Sequence, residues 1–158
     1  MSQRLQSIFF FLSALLLALM FFGPLVEFDT EKNILAFNVF GFESKTPGFG
    51  KLFALPVLIL TLTAILLSGY LAMGLFRAVK LAQFVKLYTI ARIDIVVIVA
   101  WIAVVFAYYI RVIGNPIGAE PSFKVGAFLP LAALLLTIAA TSGLKKDIKK
   151  VRSTDRIR

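Results

Sequence analysis

The chain contains no cysteine and no histidine in its 158 residues. Without cysteine there is no disulfide and no thiol chemistry. Without histidine the commonest general base and the commonest transition-metal ligand are missing. Charge is scarce too: 16% of residues are Asp, Glu, Lys or Arg, where soluble domains carry about a quarter. Acids are the rarer sign, 8 against 17 Lys and Arg, which gives a net charge of +9. No Gly-rich phosphate loop, Gly-x-Ser-x-Gly elbow or zinc-protease signature occurs. Ser13, Ser68 and Ser142 stand in apolar runs with no His or Lys base beside them, which disfavours a serine hydrolase. These absences argue against an enzyme. No catalytic, cofactor-binding or metal-ligating residue is assigned, and no cofactor is implied.

What is plentiful is apolar. Hydrophobic residues make up 60% of the chain, and the mean hydropathy is +0.94. A water-soluble core of this size could not hide that much apolar surface, so lipid must solvate it. Four runs are long enough to span a bilayer, at about 7–25, 52–76, 93–113 and 125–144. The first follows a short basic start, as a signal peptide would. No small-x-small cleavage site closes it, so it reads as an uncleaved helix. The third has the β-branched content of a buried strand, but its length and lack of breakers favour a helix. The predicted fold is therefore an all-α integral membrane protein, a four-helix bundle occupying residues 1–144 as two transmembrane hairpins.

The hairpins are organised around the basic segment 77–92, which holds Arg77, Lys80, Lys86 and Arg92 and no acid. Residues 26–51 and 114–124 are the two loops on the other side. In the first, 34–42 is strand-like in composition, and a short β-hairpin turning near Thr30 to Asn33 is open to it. Its phenylalanines are expected partly in lipid. Thr46-Pro47-Gly48, Asn115-Pro116 and Glu120-Pro121 read as turns. Residues 145–158 form a basic tail expected to be frayed helix or disordered. Twelve Lys and Arg fall on the side of the termini and five on the other. The positive-inside rule then puts both termini in the cytoplasm, in the bacterial inner membrane.

The two ends of the chain carry a resemblance. Gln3-Arg4-Leu5-Gln6 runs into an apolar span that closes on Pro24-Leu25 and Glu27-Phe28. The tail ends with Val151-Arg152-Ser153, Asp155-Arg156 and Arg158. These strings resemble an uncharacterised family of small four-helix membrane proteins from Bacteroidota, the domain-of-unknown-function family 4293. The resemblance covers both ends and the spacing of the spans. Its middle string, Asn-Arg-Lys-Leu-Gln-like in the family, is Val79-Lys80-Leu81-Ala82-Gln83 here. The resemblance implies a topology and an inner-membrane location, and no activity or site.

Few side chains suggest a site. Glu27, Asp29, Glu31 and Glu43 match no calcium-loop spacing and read as solvated acids. Asp94 is the one acid close to a span interior, which makes it a candidate intramembrane polar site. It also lies about one turn from the cytoplasmic edge of its predicted span, from where it would reach water or headgroups. Thr61, Thr63, Tyr70 and Thr137 read as interhelical hydrogen-bond formers. Arg77, Lys80 and Lys86, with Lys145, Lys146, Lys149, Lys150, Arg152, Arg156 and Arg158, are candidates for contact with anionic headgroups or a partner protein, at about 1 kcal/mol each for lipid. Basic residues beside spans are topology signals, which disfavours nucleic acid as the partner. Together these readings favour a non-catalytic scaffold or accessory subunit. The alternative is a small oligomeric transporter or channel. It would call for a polar stripe along one helix or a mid-membrane Gly/Pro break, and the sequence has neither.

Overall fold

The computed structural model describes residues 3–30, 33–44, 52–78, 80–114 and 120–155. Among these, four helices are long and apolar enough to cross a membrane. Helix α1 spans Gln3–Leu19 and tightens into a 3-10 turn at Met20–Phe22. Helix α2 is Leu55–Arg77, with a proline in its first turn, where no intrahelical donor is lost. Helix α3 is Leu81–Ala103 and runs on as a π-helix, Val104–Gly114. Helix α4 is Val125–Asp155. Each helix packs against two others, in the cyclic order α1, α2, α3, α4. The start of α1, the end of α4 and the α2–α3 turn therefore lie at one end of the bundle, here called the terminal end.

The buried positions explain why the helices associate. They step alternately by three and four: Gln6, Phe10, Ser13, Leu17 and Met20 in α1 and its 3-10 turn; Val57, Thr61, Ala64, Ser68, Leu71 and Leu75 in α2; Phe84, Leu87, Ala91, Asp94, Ile98 and Trp101 in α3; Ala133, Thr137, Ala140 and Leu144 in α4. That alternation is the seam of a left-handed antiparallel bundle. In the π segment it relaxes to Trp101, Val105 and Tyr109, as wider winding requires. The flanks carry exposed Leu66, Met73, Phe76, Val96 and Leu135, the surface that lipid covers.

A five-stranded antiparallel sheet caps the opposite end, in the order β4-β3-β2-β1-β5. Its strands are β1 Val26–Thr30, β2 Asn33–Asn38, β3 Gly41–Ser44, β4 Leu52–Phe53 and β5 Glu120–Phe123. The anticipated hairpin is thus present as β1 and β2, with Thr30 opposite Asn33, but it is one part of a larger sheet. Between β2 and β3 the Asn38 side-chain oxygen accepts from the backbone N–H of Phe40 and of Gly41, each at 3.0 Å. Gly41 there adopts φ 137°, a conformation that side chains oppose.

Three expectations are corrected and one is refined. Glu120-Pro121 is not a turn but part of β5, and Pro121 is tolerated because β5 lies at the sheet edge. Phe28, Phe37 and Phe42 are not in lipid. They face the bundle, with Phe37 4.6 Å from Phe42 and stacked 5.3 Å from Tyr109. Segment 77–92 connects the two hairpins largely as helix ends: α2 runs to Arg77 and α3 starts at Leu81, because Phe84, Leu87 and Ala91 continue its seam. The tail is helical through Asp155, held by Ile148 packing on the terminal-end core and by Asp147 bonding to α1. The Thr46-Pro47-Gly48 and Asn115-Pro116 turns lie outside the described residues.

Candidate intramembrane polar layer

The apolar core is divided in two. One cluster runs from Leu17, Ala64, Ile98 and Ala133 toward the sheet. The other runs from Phe10, Leu71, Ala91 and Ala140 toward the terminal end. On every helix the seam position between the clusters is polar: Ser13, Ser68, Asp94 and Thr137. Polar residues in a lipid-solvated bundle turn inward, because lipid offers them no partner.

The layer pairs the helices two by two. Ser68 Oγ donates to Asp94 Oδ2 at 2.6 Å, joining α2 to α3. Ser13 Oγ lies 3.0 Å from Thr137 Oγ1, joining α1 to α4, and both hydroxyls reach the Ala133 carbonyl. Asp94 is 0% exposed, and its Oδ1 has no hydrogen-bond partner among the described residues. Its carboxyl group therefore lies inside the bundle rather than on its surface. Thirteen residues of α3 precede it, about 20 Å of helix.

Further bonds lie to either side of the layer. Toward the sheet, Trp101 Nε1 donates to Thr61 Oγ1 at 2.8 Å, and Thr61 donates to Val57 O. Toward the terminal end, Ser7 Oγ donates to the Ala72 carbonyl. There Gln6 Nε2 also donates to Asp147 Oδ2 at 2.6 Å, beside Gly143, whose missing side chain lets Gln6 lie against α4. Thr61 and Thr137 do link helices. Thr63 does not, since it donates to Ile59 of its own helix, and Tyr70 is exposed. Gln6 and Asp147 escaped the sequence reading because both sit near span ends, where polar residues are ordinary. Their signal lay in Gly143, whose small size lets a neighbouring helix approach closely.

One exposed basic residue from each helix contributes to a band at the terminal end, while exposed Arg92 stands nearer the polar layer. Arg4, Arg77, Lys86 and Lys145 are exposed, one on each helix. Each stands eight or nine residues from the polar layer, about 12–14 Å along a helix. Arg77 and Lys86 line one pocket, whose lining does not include the exposed Lys80 of the turn. Lys145, Lys146, Lys149, Lys150 and Arg152 are exposed or part of the last turns of α4, while Arg156 and Arg158 lie outside the described residues. At the sheet end Glu27 pairs with Lys124 at 3.0 Å. Asp29 and Glu43 are exposed, Glu31 lies outside the described residues, and no acid cluster able to hold a metal ion occurs among those described.

The model of a family described as Domain of unknown function (DUF4293) matches residues 2–157, nearly the whole chain. No curated protein and no solved structure matches it.

Proposed function

We propose that this chain, which belongs to the DUF4293 family, is a non-catalytic integral protein of a bacterial inner membrane, a scaffold or accessory subunit of a larger membrane complex. The observation that supports this reading most is how the buried polar groups are used. The hydroxyls and amide of Ser7, Ser13, Ser68, Thr137 and Gln6 each bond to a neighbouring helix. Polar groups used in this way fix the register of a bundle. With its interior committed to its own assembly, the chain meets other molecules through its lipid-facing flanks and its basic end. Both termini lie in the cytoplasm, consistent with the exposed band of Arg4, Arg77, Lys86 and Lys145.

The test is recovery of the tagged protein from native membranes in mild detergent, followed by cross-linking. A stoichiometric membrane-protein partner is expected. Recovery of the chain alone, as a defined oligomer, would sink the reading.

One observation favours a second reading, a small oligomeric transporter or channel. Asp94 is buried with one carboxyl oxygen unpartnered, and acids in such places commonly mark ion paths. Proteoliposomes decide this. Ion flux that Asp94→Asn abolishes while the protein still folds would establish it. Flux no greater than in protein-free vesicles would remove it.

A further inference from the structure

A pocket of about 330 Å³ opens between the end of α2 and the start of α3. Arg77 and Lys86 supply two cations, one from each helix, and Gln83 adds an amide. Tyr70, Met73 and Leu87 supply an apolar wall. Gly74 lets Leu87 pack close against α2 at the pocket wall: a Cβ there would come within 2.8 Å of Leu87 Cδ2. Tyr70 and Met73 are 55% and 62% exposed, on the flank that lipid covers. No acid occurs anywhere in residues 52–93. Neither Arg77 nor Lys86 is ion-paired to an acid among the described residues.

We propose that this pocket is a binding site for one anionic phospholipid. The phosphate lies between the Arg77 guanidinium and the Lys86 ammonium, and the glycerol and first acyl methylenes lie against Met73, Leu87 and the Tyr70 ring. Two cations without a local acid select a negative headgroup, and guanidinium is suited to phosphate oxygens. The apolar wall and its lipid-facing mouth select a lipid over free phosphate, which would leave that wall uncovered. Basic pockets between membrane helices at a headgroup level are suited to such ligands.

The full-length protein in mild detergent is titrated with phosphatidylglycerol or phosphatidylcholine, and bound lipid is counted by native mass spectrometry. One phosphatidylglycerol is expected to stay bound under conditions that strip phosphatidylcholine. The double variant Arg77→Gln/Lys86→Gln is expected to bind it about 30-fold more weakly, the effect of removing two phosphate-facing cations. Arg77→Lys/Lys86→Arg is expected to stay within about threefold of the parent, by keeping both charges. Lys146→Gln/Lys149→Gln removes the same net charge from the tail and is expected to change little. Equal loss in the tail variant would overturn the site in favour of diffuse charge. Displacement of the lipid by millimolar inorganic phosphate would overturn the lipid in favour of a free anion. If the glutamine variant does not fold, the charge-keeping variant still decides: loss of phosphatidylglycerol selectivity in it, while folded, would also overturn the proposal.

Discussion

At the residue scale the most exacting contact is the one between Ser68 and Asp94. A neutral hydroxyl bond between membrane helices is worth about 0.6 kcal/mol on average. Leaving a buried polar group without any partner costs about 1–3 kcal/mol. Ser68→Ala removes the single hydrogen bond that Asp94 accepts among the described residues, so it should destabilise by the larger figure. Ser13→Ala should cost the smaller one, because Thr137 keeps its bond to the Ala133 carbonyl. Asp94→Asn can still accept from Ser68 and should stay within about 1 kcal/mol of the parent. Reversible unfolding of the three variants in micelles checks the order. Equal losses for Ser68→Ala and Ser13→Ala would mean that Asp94 has another partner. Asp94 was noticeable in the sequence because acids are rare in spans. Its neighbours in the layer were not, since single serines and threonines in four separate runs give no sign of meeting.

At the element scale the α1–α4 seam depends on a missing side chain. A Cβ on Gly143 would lie 3.0 Å from Gln6 Nε2 and 3.2 Å from Gln6 Cγ. Gly143→Val should therefore cost about 1–3 kcal/mol by overpacking. Adding Gln6→Ala should recover much of that loss, and a double-mutant cycle measures the coupling. At the other end, Phe37 fills the space between the sheet and the π segment of α3. Phe37→Ala should cost about 3–5 kcal/mol and release Tyr109 from its stack, which near-ultraviolet circular dichroism would register. The elements differ in how legible they were. Strand β1 alternates plainly, with Val26 and Phe28 inward and Glu27 and Asp29 outward. Strand β5 gave no such signal, because it is four residues long and contains Pro121. The helical seams were hidden for a different reason. Lipid-facing positions are as apolar as core-facing ones, so hydropathy finds a span without showing which side faces inward.

At the scale of the whole molecule, orientation is the property to establish. The chain has no cysteine, so a single introduced thiol reports its own side without background. In spheroplasts a membrane-impermeant maleimide should label Asp29→Cys and spare Ser153→Cys until the membrane is opened. The reverse pattern would overturn the positive-inside assignment. The four spans were legible in composition alone. Their joining into one body was not, because it depends on contacts between residues far apart in the chain. Strand β5 pairs with β1 across more than 90 residues, Glu120 lying opposite Asp29.

That last pairing sets an order of events in time. Strands β1 to β4 and the first three helices are all made before β5, which lies just ahead of α4. A chain inserted from its N-terminus delivers β5 across the bilayer late, so until then β1 has an open edge. The β1–β5 clasp can close only once α3 is in place and has carried β5 to the sheet end. Closure is thus a final step that a stalled or half-inserted chain cannot complete, and such chains would present that edge to chaperones and proteases.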